Sequence, residues 1–297
     1  GKLRPGQVQL EIGVQTVNPQ TLSEIRRVTD LSKLADRVER IRRGGNIHQH
    51  LVLIAGLPYE DLESFIHSFN QVYAMRPHQL QLGFLKVLKG SAMAQKAEEY
   101  QLLYRPRPPY EVLSTRWLSF EELLELKGVE EMVEVYYNSH QFANTIEALE
   151  ACFETPYDLF RNLAQYYERN GWKGVSHSRM GRLEILREFA IETDGAGKDW
   201  YQECLLMDLY LRENSKTRPQ WAMDLSPYKE KIAEFYKEEA LTHRLLPGYE
   251  ECSYRQLRTM THLELFFREG ERPQLVLFDY RRRDPLTYDA WTYRRSL

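Results

Sequence analysis

Apolar and polar positions alternate where the chain begins. In QVQLEIGVQ, Leu10, Ile12 and Val14 fall on one side of an extended segment; Glu11, Gly13 and Gln15 fall on the other. The alternation predicts a strand over 8–14. Asn18-Pro19 then supplies a helix cap and a first-turn proline, opening a helix through Leu22, Ile25 and Val28. A second helix, about 31–43, carries Leu31, Leu34, Val38 and Ile41 at helical spacing and stops at Gly44-Gly45. HQHLVLIAG (48–56) predicts the next strand, and a helix with Phe65, Ile66, Phe69, Val72 and Tyr73 near one side follows. HQLQLGFLKVL (78–88) predicts a third strand, in which Gln79, Gln81 and Gly83 alternate with Leu80, Leu82 and Phe84.

This β-α-β-α-β order is that of right-handed parallel units. Three such strands do not close a barrel, which takes eight. The open edge therefore needs cover, expected from a partner copy (a homodimer) or from the chain's own tail. RPRPPYEVL, from about 105, reads as a linker or seam. Helical patterns then run through 119–245, with aromatic residues at many apolar positions. The tail returns to strand: MTHLELFF (260–267), a turn at REGERP, then QLVLFDYRRR (274–283), an antiparallel hairpin. The expected fold class is α/β followed by mostly α. A partial parallel (β/α) barrel spans 1–103, and a helical C-terminal domain with a terminal β-hairpin spans 104–297.

Apolar residues make up 42% of the 297, enough for a real core. The formal net charge of -3 does not point to nucleic acid as a partner. No apolar run reaches the roughly 18 residues of a membrane span, and no signal peptide opens the chain, so a cytoplasmic location is expected. Cys152, Cys204 and Cys252 lack CxxC or CxxxCxxC spacing and read as buried, reduced thiols, so no metal ligand set is expected. His48 and His50 form an HxH, but at the start of their strand, the stability end of a barrel. His140, His177, His243 and His262 have no ligand-spaced companions. RRRDP (281–285), with Arg294 and Arg295 and nearby aromatics, could bind RNA. The acidic helices upstream favour a solvated, packed hairpin instead.

The polar strand faces carry the candidate chemistry. On the interior side of a parallel barrel, Glu11 and Gln15 would be costly unless they bind something polar, such as a ligand ammonium or ribose hydroxyl. Gly13 between them lets a ligand approach the backbone. The competing reading is an ordinary solvated sheet face. LIAGLPYED (53–61) ends a strand where α/β proteins place ligands, and Gly56 permits a tight turn there. Glu60 and Asp61 suit the following helix dipole.

EIGVQTVNPQTLSEIRR, HLVLIAGLPYED and LQLGFLKVLKGS, in this order, resemble the C-terminal half of the core barrel of radical S-adenosylmethionine enzymes. The resemblance covers about residues 1–95. It is closest to the bacterial subset that has an upstream cobalamin-binding domain and a helical C-terminal domain of unknown function. The resemblance implies that EIGVQT is the fourth barrel strand, with Glu11, Gly13, Gln15 and Thr16 facing the methionine and ribose of S-adenosylmethionine. It implies that Ile54 and Gly56, at the end of the fifth strand, pack against the adenine, and that the backbone from Leu85 to Val87, on the sixth, reads the adenine edge. The small-molecule cofactors so implied for the full-length parent are S-adenosylmethionine and a 4Fe-4S cluster, with cobalamin as a further one.

Two departures stand out. Val52 lies where many relatives have Asp, and the cluster-binding CxxxCxxC is absent. The chain therefore reads as the C-terminal fragment of a longer enzyme, inactive alone and without a tightly bound cofactor; its substrate is not legible. The rival readings are a non-enzymatic protein- or RNA-binding module and, more weakly, a metal hydrolase using His48 and His50.

Overall fold

The computed structural model describes residues 2–267 and 273–296, which form two compact units, one of 1–139 with 150–176 and one of 140–149 with 177–297. The architecture is mixed α/β, as the alternating patterns predict.

In the first unit, β1 (Val8–Gln15), β2 (Ile47–Ala55) and β3 (Gln79–Phe84) form a parallel sheet in that order. Helices α1 (Pro19–Glu24), α2 (Leu31–Gly44) and α3 (Leu62–Tyr73) make the crossovers. Asn18, Asp30 and Asp61 cap them with side-chain oxygens, and α2 stops at left-handed Gly45 (φ 60°). The first helix is shorter than its apolar spacing suggests. It stops at Glu24, Arg26 turns left-handed (φ 55°), and Val28 is fully exposed. One sheet face buries Val14, Leu51, Leu53, Leu80 and Leu82 against the helices.

A short helix, α4 (Ala92–Gln95), precedes a two-stranded hairpin, β4 (Leu103–Tyr104) and β5 (Val112–Ser114). The proline-rich run forms its loop, within the first unit. The third predicted strand is two segments: after Phe84 the chain leaves the parallel sheet, and Lys86 bridges Glu111 antiparallel. α5 (Phe120–Met132), opened by a Ser119–Glu122 capping box, runs into a π-helical segment, Val133–Asn138. The outer edge of β3 is covered by that segment. The Asn138 amide donates to the Leu80 carbonyl and accepts the Leu80 N–H, both at 2.9 Å. α5 crosses α7 (Pro156–Arg169) where Gly128 leaves only 3.2 Å between a would-be Cβ and Ala164. The aromatic positions here are core: Tyr73, Tyr136, Tyr157 and Phe160 are fully buried.

The second unit holds most of α6 (Ala143–Glu150), then α8 (Arg179–Thr193), α9 (Lys198–Arg212), α10 (Lys229–Thr242) and α11 (Tyr254–Met260). The predicted hairpin is a three-stranded antiparallel sheet: β6 (Thr261–Phe266), β7 (Gln274–Arg283) and β8 (Ala290–Ser296). The third strand, AWTYRRS, has no sustained alternation and was hidden from a pattern reading. The turn expected at 268–273 lies, but for Pro273, outside the described residues. Among the described residues, these strands pair with one another in a sheet of their own. Leu263, Leu265, Leu275 and Leu277 pack under Phe235 and Tyr236 of α10. The tail arginines are engaged in packing: Arg281 lies over Tyr249 at 4.6 Å and Arg283 over Tyr280 at 5.5 Å. Buried Glu264 accepts a two-pronged bond from Arg218, both at 3.0 Å, and His262 stacks on Tyr210 at 3.6 Å.

Candidate functional site

Strand register builds rows across the parallel sheet. Glu11 aligns with His50 and Gln79, Gly13 with Val52 and Gln81, and Ile54 with Gly83. Side-by-side residues of a parallel sheet share a face, so these positions form one surface, opposite the helix-packed face. Glu11 and Gln81 are exposed on it, while Gly13, Ile54 and Gly83 are half-buried.

Gln15 reaches this surface by a different route from simple alternation. The register slips between Gly13 and Gln15, and Gln15 is left-handed (φ 71°). Its amide lies in the space a Gly13 side chain would take, so a larger residue at 13 would displace the amide from this position. The early end of α1 returns Arg27 to β1, where its guanidinium donates to the Gly13 carbonyl. No periodic signal marks Arg27, because a turn, not a helix face, positions it.

Thr16 faces a buried cluster. Its Oγ1 donates to Glu60 Oε1 (2.5 Å) and accepts the Asn18 N–H (2.9 Å). Ser68 Oγ donates to the same Glu60 oxygen (3.0 Å) and accepts the Val17 N–H (3.1 Å). Thr16, Glu60 and Ser68 are all fully buried, and Glu60 Oε2 has no hydrogen-bond partner. Burial pushes the Glu60 carboxyl up to about 7, against the pull of the two hydroxyls. Of the acids expected to serve the helix dipole, Asp61 does cap α3, whereas Glu60 turns inward.

Gly56 is left-handed (φ 87°), and a side chain there would meet Val112 Cγ1 at 2.8 Å. The close approach it permits is made by β5. The Leu85 N–H donates to the Ala55 carbonyl, the Leu85 carbonyl accepts the Val112 N–H, and the Val87 N–H donates to the Tyr110 carbonyl, each at 2.9 Å. The structure thus groups Glu11, Gly13, Gln15 and Ile54 on the polar surface. It places Gly56, Leu85 and Val87 around Val112.

His48 and His50 begin β2, and burial pushes the His48 imidazole down, with the charge of His50 adding to it. Gln49 donates its N–H to His78 Nδ1 (3.1 Å), whose ring lies 5.1 Å from that of His48. Among the described residues, no three His, Cys, Asp or Glu side chains are grouped to hold a metal. The cysteines are not all buried: Cys204 is, Cys252 is half-buried and Cys152 is exposed, on the short segment after α6. No described helix is long and apolar enough to cross a membrane.

Residues 98–278, more than half of the chain, match the model of a protein family of unknown function, DUF4080. The chain belongs to the DUF4080 family. The matched region takes in the hairpin β4–β5, the helices from α5 to α11, the strand β6 and most of β7; the parallel sheet and its crossover helices lie before it. No curated protein matches the chain.

Proposed function

We propose that the polar surface of the parallel sheet is the S-adenosylmethionine face of a radical S-adenosylmethionine enzyme, of which this chain supplies the C-terminal part, in the cytoplasm. The arrangement of Glu11, Gln15 and Arg27 around Gly13 carries the reading. The methionine moiety of the cofactor is an amino acid with one ammonium and one carboxylate. Glu11 offers a carboxylate to the ammonium. Arg27 uses its guanidinium on the Gly13 carbonyl and keeps further N–H donors for the carboxylate. Gln15, folded over Gly13, offers an amide to a ribose hydroxyl. Ile54 beside Gly83 is an apolar shelf for the adenine; its Cγ1 stands 3.7 Å from the vacant Cβ position of Gly83.

Gly56, Leu85 and Val87 are taken up by the ribbon itself: Val112 lies against Gly56, and Leu85 and Val87 pair with Val112 and Tyr110. Thr16 is buried at the exit of β1, next to Gln15, and held there by Glu60.

When bound, S-adenosylmethionine supplies an adenosyl group to the reaction. The described residues do not fit an iron–sulfur cluster, since the cysteines are dispersed and no ligand group forms. On this reading the cluster is held by a CxxxCxxC elsewhere in the parent enzyme.

Ligand-observed NMR of S-adenosylmethionine with this chain tests the reading. Saturation transfer to the methionine and ribose protons is expected, and Gln15→Ala and Arg27→Ala should each abolish it. Absence of transfer, or transfer indifferent to both substitutions, would overturn it and favour the binding-module reading.

A further inference from the structure

We infer that the ribbon from Leu85 to Arg116 binds single-stranded nucleic acid. The inference does not rest on the cofactor reading. Beyond β3 the chain builds a small antiparallel platform: 85–87 pairs with 110–112, and β5 pairs with β4. It exposes Lys86, Lys89, Arg105, Arg107 and Arg116. None of them has a carboxylate partner among the described residues, whereas Arg42, Arg43, Arg76 and Lys96 elsewhere in this unit are all ion-paired.

The one acid on the platform is already answered. Glu111 lies between Lys86, its bridge partner, and Arg105, whose N–H donates to the Glu111 carbonyl at 3.0 Å. Its carboxylate is bonded at 2.6 Å to Lys127, which stands 3.9 Å from the centre of the Phe84 ring. The exposed Glu98 and Glu99 precede β4 and leave the cations in excess.

Two features select the ligand. Lys86 and Arg105 sit on the outer strands, two strand spacings or about 10 Å apart, so the cations are spread out and suit a chain of phosphates better than one phosphate. Arg107 is fixed between Pro106 and Pro108, which limits the entropy lost when its guanidinium engages a phosphate. Tyr104 and Tyr110 are half-buried on the same ribbon and offer rings to unstacked bases. The overall charge of -3 hides this local excess, because the acids concentrate on the helices.

The test is fluorescence anisotropy with a labelled single-stranded RNA of about 20 nucleotides. Affinity should fall about a hundredfold between about 50 and 200 mM salt, as about five phosphate contacts require. The triple variant Arg105→Ala/Arg107→Ala/Arg116→Ala should bind at least about tenfold more weakly, with a log–log salt slope shallower by about 2. All three side chains are exposed, so its melting temperature should match that of the parent. A control, Arg37→Ala/Arg40→Ala on α2, should bind like the parent. Equal losses in the control, a duplex competitor as effective as the single strand, or no salt-dependent binding at all would each overturn the inference.

Discussion

The Thr16 hydroxyl donates to the Glu60 carboxyl at 2.5 Å, joining the exits of two neighbouring parallel strands beneath Gln15. Thr16 directly follows β1, and Glu60 lies five residues beyond the end of β2. Both hydroxyls of the cluster accept a backbone N–H, so each has one proton to give, and both give it to Glu60 Oε1. Oε2 receives nothing. Two neutral donors do not offset burial of a full charge.

The consequence is a stability that depends on pH. Burial raises the folded-state Glu60 from an ordinary 4.5 to about 7. Below 4.5 the carboxyl is protonated in both the folded and the unfolded chain, and its ionisation contributes nothing. Between 4.5 and 7 the unfolded chain releases the proton while the folded chain retains it, so stability falls as pH rises, by roughly 3 kcal/mol at the plateau above 7. Glu60→Gln removes the titration and keeps an acceptor for the hydroxyls. Denaturant unfolding of both proteins at pH 5 and pH 8 should show the variant gaining on the parent by about 2–3 kcal/mol. An unchanged difference between the two pH values counts against the buried-carboxyl account.

Gly56→Ala combines two penalties. The backbone is left-handed, and the new methyl would sit 2.8 Å from Val112 Cγ1. A loss of about 2–4 kcal/mol is expected. Val112→Ala in the same chain should recover the steric part and leave the conformational part, a coupling that a double-mutant cycle reads directly. Additive losses would show that Val112 is not what the glycine makes room for.

The polar face was legible in the sequence because alternation has a period of two and the parallel register brings equivalent positions level. Glu11, Gly13, Gln81 and Gly83 were found that way. Arg27 and Glu60 were not: a left-handed turn at Arg26 brings one back to β1, and the turn after Gly56 points the other inward. Neither event leaves a periodic trace. The split of the third strand was hidden for a related reason. QLQLGFLKV keeps its alternation through Phe84, and only the arrival of 110–112 decides that its second part pairs antiparallel. Asn138 was equally invisible, since a side-chain amide standing in for a strand needs only one residue.

Asn138 supplies what a fourth strand would give the buried Leu80, one donor and one acceptor. Its amide also donates to Glu134 Oε2 at 2.8 Å. Asn138→Ala leaves the Leu80 N–H and carbonyl unpaired and should cost about 2–4 kcal/mol. Asn138→Asp keeps the acceptor for the N–H but sets a carboxylate against the Leu80 carbonyl and Glu134. Hydrogen exchange should therefore show the Leu80 amide unprotected in the alanine variant and partly protected in the aspartate one. Full protection in both would mean that the edge is covered by something other than Asn138.

The second unit holds a carboxylate that looks like Glu60 and should behave differently on amide replacement. Asp208 is buried, and burial pushes it up to about 6. Four donors nevertheless converge on it. Oδ1 accepts the Asn144 N–H (2.9 Å) and side-chain amide (2.8 Å), and Oδ2 accepts the Thr145 N–H (3.0 Å) and hydroxyl (2.6 Å). The two backbone donors belong to the first turn of α6, so the side chain acts as a helix cap supplied from α9. In Asp208→Asn, the new NH2 would face the Thr145 N–H, and a buried donor would lose its acceptor. A loss of about 2–4 kcal/mol at pH 7 is expected, despite the removal of a buried charge. Thermal unfolding followed by a probe in the second unit checks it. Glu60→Gln and Asp208→Asn should thus shift stability in opposite directions at pH 8. What separates them is the number of donors aimed at each carboxyl, two against four, and a shift of the same sign for both would refute that explanation.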